Sequence, residues 1–264
     1  MDSSLHKNST TNSIKIAFKW LAAENTLRTL PTLVFLHDAL GSIGQWKDFP
    51  DLLVKSTGCQ GLIYDRLGYG DSSPNTEPRT KDYLHHEALV ALPALLDKLK
   101  LNDVILIGHS DGGSISLIFA GSCPKHIRLR GIITEAAHIF VDHLTIQGIQ
   151  EAVIASQNNS FLEKLSKFHG DKTISVFEGW HKTWLKEDFR NWNISNYLST
   201  ITCPSLIIQG KNDEYGTPEQ VETICRLVNG PSKALMIPDC AHIPHFQSQE
   251  IVLKEMTQFI KNLI

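Results

Sequence analysis

Four short runs constrain this chain more than anything else in it: TLVFLH (32–37), GLIYD (61–65), DVILIGH (103–109) and CPSLIIQG (203–210). Each is apolar at consecutive rather than alternate positions, so each must be covered on both faces. Between them the apolar residues recur at helical spacing: Trp46, Phe49, Leu52 and Leu53 in one stretch, and Leu84, Ala88, Leu92, Leu95 and Leu99 in another, over Tyr83 to Leu99. Doubly covered strands separated by helices predict an α/β fold, a mostly parallel central sheet with helices on both faces. SIKIAFKW (13–20), RLRGIITEA (128–136) and KALMIPD (233–239) read as further strands, and 112–120, 217–229 and 248–263 as further helices.

Residues 138–198 break the alternation. Ile146, Ile149 and Val153, then Phe161, Leu165 and Phe168, then Phe177, Trp180 and Trp184 keep helical spacing with no strand among them. So long a helical stretch exceeds one crossover. The expected organisation is therefore a core of residues 1–137 and 199–264, with 138–198 inserted as a helical cap.

Gly108-His109-Ser110-Asp111-Gly112 falls between a predicted strand and a predicted helix and fits G-x-S-x-G. In such a turn the serine takes strained backbone angles, its neighbours two positions away must be small, and its Oγ rises above the strand end. The N–H of Asp111 then sits at a helix N-terminus, where it can donate to an oxyanion. A hydroxyl needs a base, and the base needs an orienting acid. Asp213 follows the strand CPSLIIQG and His242 follows KALMIPD, so both emerge at carboxyl ends of strands, where open parallel sheets bind ligands. Ser110, Asp213 and His242 are the candidate catalytic residues. His245 is the rival base, with His242 preferred. The loop after TLVFL offers a second oxyanion donor, the N–H of Ala39.

Around that serine, Asp111, His138, Phe177, Trp180 and Trp184 are the candidate pocket residues. Three roles are open to the Asp111 carboxylate: complementing its own helix dipole, binding a substrate cation, or acting as triad acid. The first is favoured. The last conflicts with the need for the base to lie between acid and nucleophile. Asp65, Arg66 and Asp71 read as an ordered turn with local ion pairing.

A net charge of −3 without any block of Lys or Arg argues against nucleic acid or an anionic membrane surface as partner. No apolar run is long enough to span a bilayer. The first thirteen residues are polar and lack a signal-peptide core. Five scattered cysteines with no C-x-x-C indicate neither a disulfide framework nor a zinc site. There is no H-E-x-x-H among the twelve histidines, so no metal is expected. The expectation is a cytoplasmic protein acting on a small-molecule substrate, with no cofactor.

Over nearly its whole length the chain resembles the α/β-hydrolase superfamily. GHSDGG is similar to the nucleophile elbow, FLHDALGS to the His-Gly oxyanion loop, YDRLGYGDSS to the turn after the next strand, and GKNDEYGTP and CAHIPH to the acid and base loops. Asp38 stands where that family usually has glycine, a departure within the oxyanion loop itself. A serine at the elbow sets the chain apart from the haloalkane dehalogenases and epoxide hydrolases. The resemblance implies a small capped serine hydrolase, among the esterases, lactonases, carbon–carbon bond hydrolases and haloperoxidase-like proteins. Hydrolysis of a small ester or lactone through an acyl-enzyme is the leading expectation. Two alternatives stand beside it: carbon–carbon hydrolysis of a diketone, and a ligand-binding or signalling protein that retains the fold.

Overall fold

The computed structural model describes residues 14–22, 29–158 and 160–264. Seven strands form one sheet: β1 (Phe18–Leu21), β2 (Thr32–Leu36), β3 (Gln60–Tyr64), β4 (Asp103–His109), β5 (Arg128–Glu135), β6 (Ser205–Gly210) and β7 (Ser232–Ile237), in the spatial order β1-β3-β2-β4-β5-β6-β7. All neighbours are parallel except β1, which runs antiparallel to β3. The strand expected over 13–20 is shorter and shifted, Phe18–Leu21, and Ser13 lies outside the described residues. Its first three side chains are exposed and only Leu21 is buried, as suits an edge strand paired on one side.

Consecutive apolar residues serve opposite faces. Val34, Leu36, Leu62, Val104 and Leu106 enter one core, while Leu33, Phe35, Ile63, Ile105 and Ile107 enter the other. Helices α1 (Phe49–Thr57) and α11 (Gln249–Lys261) pack together over the second core. Over the first lie α2 (Tyr83–His86) and α3 (Leu92–Lys98), joined by a π turn at Glu87–Ala91, together with α4 (Asp111–Gly121), α8 (Ser195–Leu198) and α9 (Glu219–Leu227). Between β5 and β6 the chain makes its helical excursion: α5 (His143–Ser156), α6 (Ser160–His169) and α7 (Thr173–Trp184) precede α8. A short α10 (Pro244–Gln247) follows β7.

The strand order reverses between β2 and β4. From β2 the chain leaves toward β3, and from β4 toward β5, so a crevice opens at their carboxyl ends. Residues 37–41 and Ser110 occupy that crevice.

Candidate active site

Ser110 sits between β4 and α4 with φ 51° and ψ −114°, a left-handed conformation uncommon for a side-chain-bearing residue. Its N–H donates to the Glu135 carbonyl at 2.8 Å, which pins the turn to β5. The flanking glycines are required by contact. A Cβ on Gly108 would lie 2.1 Å from the Gly112 oxygen, and one on Gly112 would lie 2.0 Å from the Leu36 oxygen.

The loops after β6 and β7 bring the other two residues to it. His242 Nε2 is 3.0 Å from Ser110 Oγ, and His242 Nδ1 is 2.8 Å from Asp213 Oδ1. Asp213 Oδ1 also accepts the Tyr215 N–H at 2.9 Å. Burial alone would lower the His242 pKa. Asp213, by charge and hydrogen bond, with Glu214 and Asp38 adding, outweighs that and raises it. Burial likewise works against the Asp213 charge, and His242 with the Tyr215 N–H holds its pKa below the ordinary value. An imidazole so held can take a proton from a hydroxyl and return it, with the carboxylate stabilising the charged ring. His245 points elsewhere: its Nδ1 meets Glu135 Oε2 at 2.5 Å and its ring stacks on Trp46.

The N–H of Asp111, in the first turn of α4, has no intrahelical acceptor. Among the described residues the N–H of Ala39 meets no protein acceptor either. Arg66 ties to both residues, to the peptide unit that carries the Ala39 N–H and to the side chain of Asp111. Its Nη2 donates to the Asp38 carbonyl at 2.7 Å, and its Nη1 and Nη2 both lie 3.3 Å from Asp111 Oδ2. In a trans peptide the C=O and the next N–H point in opposite directions, so gripping the Asp38 oxygen aims the Ala39 N–H the other way. Neutral His37 reinforces this: its Nδ1–H donates to the same carbonyl at 2.8 Å, and its Nε2 accepts the Arg66 N–H at 3.1 Å.

Arg66 and Asp111 are each 1 % exposed. Tyr83 donates to the Asp111 carboxylate at 2.9 Å and accepts the Trp184 indole N–H at 2.8 Å. Burial, then the Asp111 charge, push the Tyr83 hydroxyl well above its ordinary pKa, so it keeps the proton it donates. These contacts correct the reading of the Arg66 turn and bear on one of the roles left open to Asp111. The Arg66 ion pair is not local to its turn but crosses to α4. The Asp111 carboxylate, although Asp111 lines the cavity, is committed to Arg66 and Tyr83 and is not free to bind a substrate cation. Asp65 is held by main-chain donors, the N–H groups of Ile43 and Asp71.

A cavity of about 330 Å³ lies above Ser110. His138, Trp180 and Trp184 line it, joined by Ile149, Phe161 and Leu165 from the helical excursion. Phe177 does not line it. That ring packs behind the wall, with centroids 5.5 Å from Phe161 and 4.6 Å from His181. Sequence reading did not single out Gln45, Lys164, Glu214 or Tyr215, which also reach the cavity. Only the position of Glu214 and Tyr215 directly after Asp213 could have signalled them. Asp38, in the family's glycine position, is accommodated by Gly41, where a Cβ would lie 2.1 Å from Asp38 Oδ1. Among the described residues no group of three His, Cys, Asp or Glu side chains could hold a metal ion, and no helix is long and apolar enough to cross a membrane.

Comparison with known proteins agrees with this fold. The chain is 25% identical over 256 residues to the sn-1-specific diacylglycerol lipase ABHD11 of Mus musculus, covering 88% of this chain and 81% of that one. It is 22% identical over 286 residues to a proline iminopeptidase of Saccharolobus solfataricus, covering 94% and 89%. The crystal structure of the enol-lactonase from Burkholderia xenovorans LB400 superposes with a TM-score of 0.71 at 15% identity, over 94% of this chain and 96% of that one. The sequence model described as the alpha/beta hydrolase fold matches residues 31–193, which include Ser110 but end before Asp213 and His242. With more than half of its length matched, and a sheet and crevice of this form, the chain belongs to the alpha/beta hydrolase family.

Proposed function

We propose that this protein is a serine hydrolase that cleaves a carboxylic ester or lactone with an apolar acyl part, through an acyl-enzyme on Ser110. The observation that carries the reading is the unbroken run from Ser110 Oγ through His242 to Asp213, at 3.0 and 2.8 Å, beginning on a strained turn. His242 Nε2 takes the Ser110 proton as Oγ attacks the carbonyl carbon. The N–H groups of Ala39 and Asp111 receive the oxyanion. The carbon–oxygen bond of the ester then breaks, and the leaving alkoxide takes the proton from His242. Water, deprotonated by the same ring, releases the acid. Losing one oxyanion donor costs about 2.7–4 kcal/mol of transition-state stabilisation in other enzymes.

Residues 138–198 serve as the cap in this scheme, and Trp180, Trp184, Ile149, Phe161 and Leu165 receive the acyl chain. An apolar lining with few polar groups suits that role. The five unpaired cysteines support a reducing compartment.

The test is covalent labelling with a fluorophosphonate, read beside turnover of p-nitrophenyl esters of rising chain length. Ser110 is the expected site, with labelling lost in Ser110→Ala. Folded protein that takes no label overturns the reading.

A further inference from the structure

His245 stands outside the catalytic run, yet it is buried against a carboxylate only three residues beyond His242. Glu135, the last residue of β5, reaches the site in two directions. Its main-chain oxygen accepts the Ser110 N–H at 2.8 Å, and its Oε2 accepts the His245 Nδ1–H at 2.5 Å. The residue that pins the nucleophile turn therefore also holds the loop that carries the base.

That loop is braced, so a shift at His245 is felt at His242. Gln247 Oε1 accepts the N–H groups of Ala241 and Ile243, both at 3.1 Å, and so ties the residues on either side of His242 to the end of α10. His245 is the second residue of the same short helix. Its ring stacks on Trp46 at a centroid distance of 4.6 Å and meets the His109 ring edge-on at 5.0 Å. His109, next to Ser110 in the chain, donates from Nε2 to the His242 carbonyl at 2.8 Å. The contacts close a ring that runs from Ser110 through Glu135, His245 and the base loop to His242, and back to Ser110 Oγ at 3.0 Å.

Glu135 and His245 are 0 % and 3 % exposed, and Glu135 Oε1 meets no protein donor among the described residues. Uncharged side chains of similar volume would fill that space as stably, because desolvating a carboxylate offsets much of what its partner returns. What apolar contact lacks is direction. A short hydrogen bond to a carboxylate fixes both the distance and the angle of the ring it holds. Base catalysis requires this, since His242 must stay within hydrogen-bond reach of the proton it moves.

We propose that Glu135 and His245 are positioning residues whose bond sets the base loop against the nucleophile turn, and with it the distance from His242 to Ser110. The inference rests on the serine-hydrolase reading and names the pair that keeps its two reacting groups in place.

The test separates reach from charge. Glu135→Gln keeps the length of the side chain and an oxygen that can accept from His245, but loses the charge. Glu135→Asp keeps the charge and is one methylene shorter. Two rates are read: kcat for a p-nitrophenyl ester, and fluorophosphonate labelling of Ser110. Both are expected to stay within about threefold of wild type in Glu135→Gln, where a neutral hydrogen bond replaces a charged one. Both should fall about tenfold in Glu135→Asp, where the bond is stretched. Glu135→Leu with His245→Phe makes the pair apolar and is expected to resist denaturant as well as wild type. It should nevertheless lose about 10²-fold in both rates, the cost of a reacting group misplaced by about 1 Å. KM should move less than about twofold throughout, because neither residue lines the cavity above Ser110.

A folded apolar pair with both rates within about threefold of wild type overturns the proposal, since the two residues then only fill space. A loss in Glu135→Gln equal to or greater than that in Glu135→Asp overturns it too, because charge and not reach would be the working property. Where the apolar pair does not fold, that comparison decides alone. Wild-type protein that labels at Ser110 but cleaves no ester overturns the ester reading, and the labelling rates then test the pair. Wild-type protein that takes no label overturns the serine-hydrolase reading, and this inference with it.

Discussion

The strand-end loops and the helical excursion above them are held in different ways. Ser110, Asp213 and His242 stand on main-chain geometry: a left-handed serine, glycines pressed against backbone oxygens, and N–H groups bonded to strand carbonyls. Gly210, at the end of β6, is pressed in the same way, since a Cβ there would lie 2.1 Å from the Cys240 oxygen and push the base loop away. The excursion rests on apolar contact and a few polar ties. His169 accepts the Gly70 N–H and donates to the Leu40 carbonyl, Asp142 Oδ2 accepts from Thr217 and Gln220, and Trp184 reaches Tyr83. Groups that must hold sub-ångström positions stand on the sheet. Groups that only have to exclude water and match a shape stand on helices that can repack. The buried run Trp184–Tyr83–Asp111–Arg66 connects the two regions.

That contrast can be broken first at the sheet. Ser110→Ala is expected to lower kcat about 10⁶-fold in ester hydrolysis, and Asp213→Asn, with its wrong histidine tautomer, about 10⁴-fold. Loss of less than tenfold in either would place the chemistry elsewhere.

Next in size comes the connection. Arg66→Leu strands the buried Asp111 carboxylate and frees the Asp38 carbonyl. The expected cost is about 3–5 kcal/mol in denaturant unfolding and about 10²-fold in kcat, the scale of one misaligned oxyanion donor. Arg66→Leu with Asp111→Leu removes both charges, so it should regain much of the stability and none of the kcat. If both return, Arg66 neutralises a charge and does not aim the Ala39 N–H.

Changes in the excursion should be milder and should depend on the substrate. Trp184→Phe keeps a ring in the wall but removes the indole donor to Tyr83, at about 1 kcal/mol. A chain-length series is expected to show KM rising a few-fold for long acyl chains and less for acetyl esters. An equal change across the series would mean that Trp184 acts on the loops and not on the wall.

The smallest effect expected is a shift with pH. In the proposed mechanism His242 is the neutral base, and its pKa is raised above the ordinary 6.5, because Asp213 outweighs the burial that opposes it. Activity should therefore rise with pH, with the midpoint of kcat/KM above 6.5. Asp38 also favours the charged ring, so Asp38→Asn should move that midpoint down. An unchanged midpoint would remove Asp38 from the field at His242.

Much of the sheet and the positions of Ser110, Asp213 and His242 were legible in the sequence, because backbone demands leave local marks: doubly apolar strands, obligatory glycines, polar residues just past strand ends. Arg66 was read as part of a locally paired turn, because its partner Asp111 is chosen by the packing of β3 against β4 through β2 and not by neighbours in sequence. The spacing of Phe177, Trp180 and Trp184 did identify one helix face. It could not show that the cavity meets only the end of that face, leaving Phe177 against Phe161. Gln45 left no mark at all, since a lone glutamine in a short 3-10 helix, Ile43–Trp46, becomes informative only when a cavity forms around it.

The most direct test of serine chemistry here is the intact mass of the protein during turnover of a p-nitrophenyl ester, with rapid acid quenching. The expected result is a transient species heavier by one acyl group, mapped to Ser110 and absent from Ser110→Ala. Hydrolysis that proceeds with no acylated species, or that persists in Ser110→Ala, would contradict it.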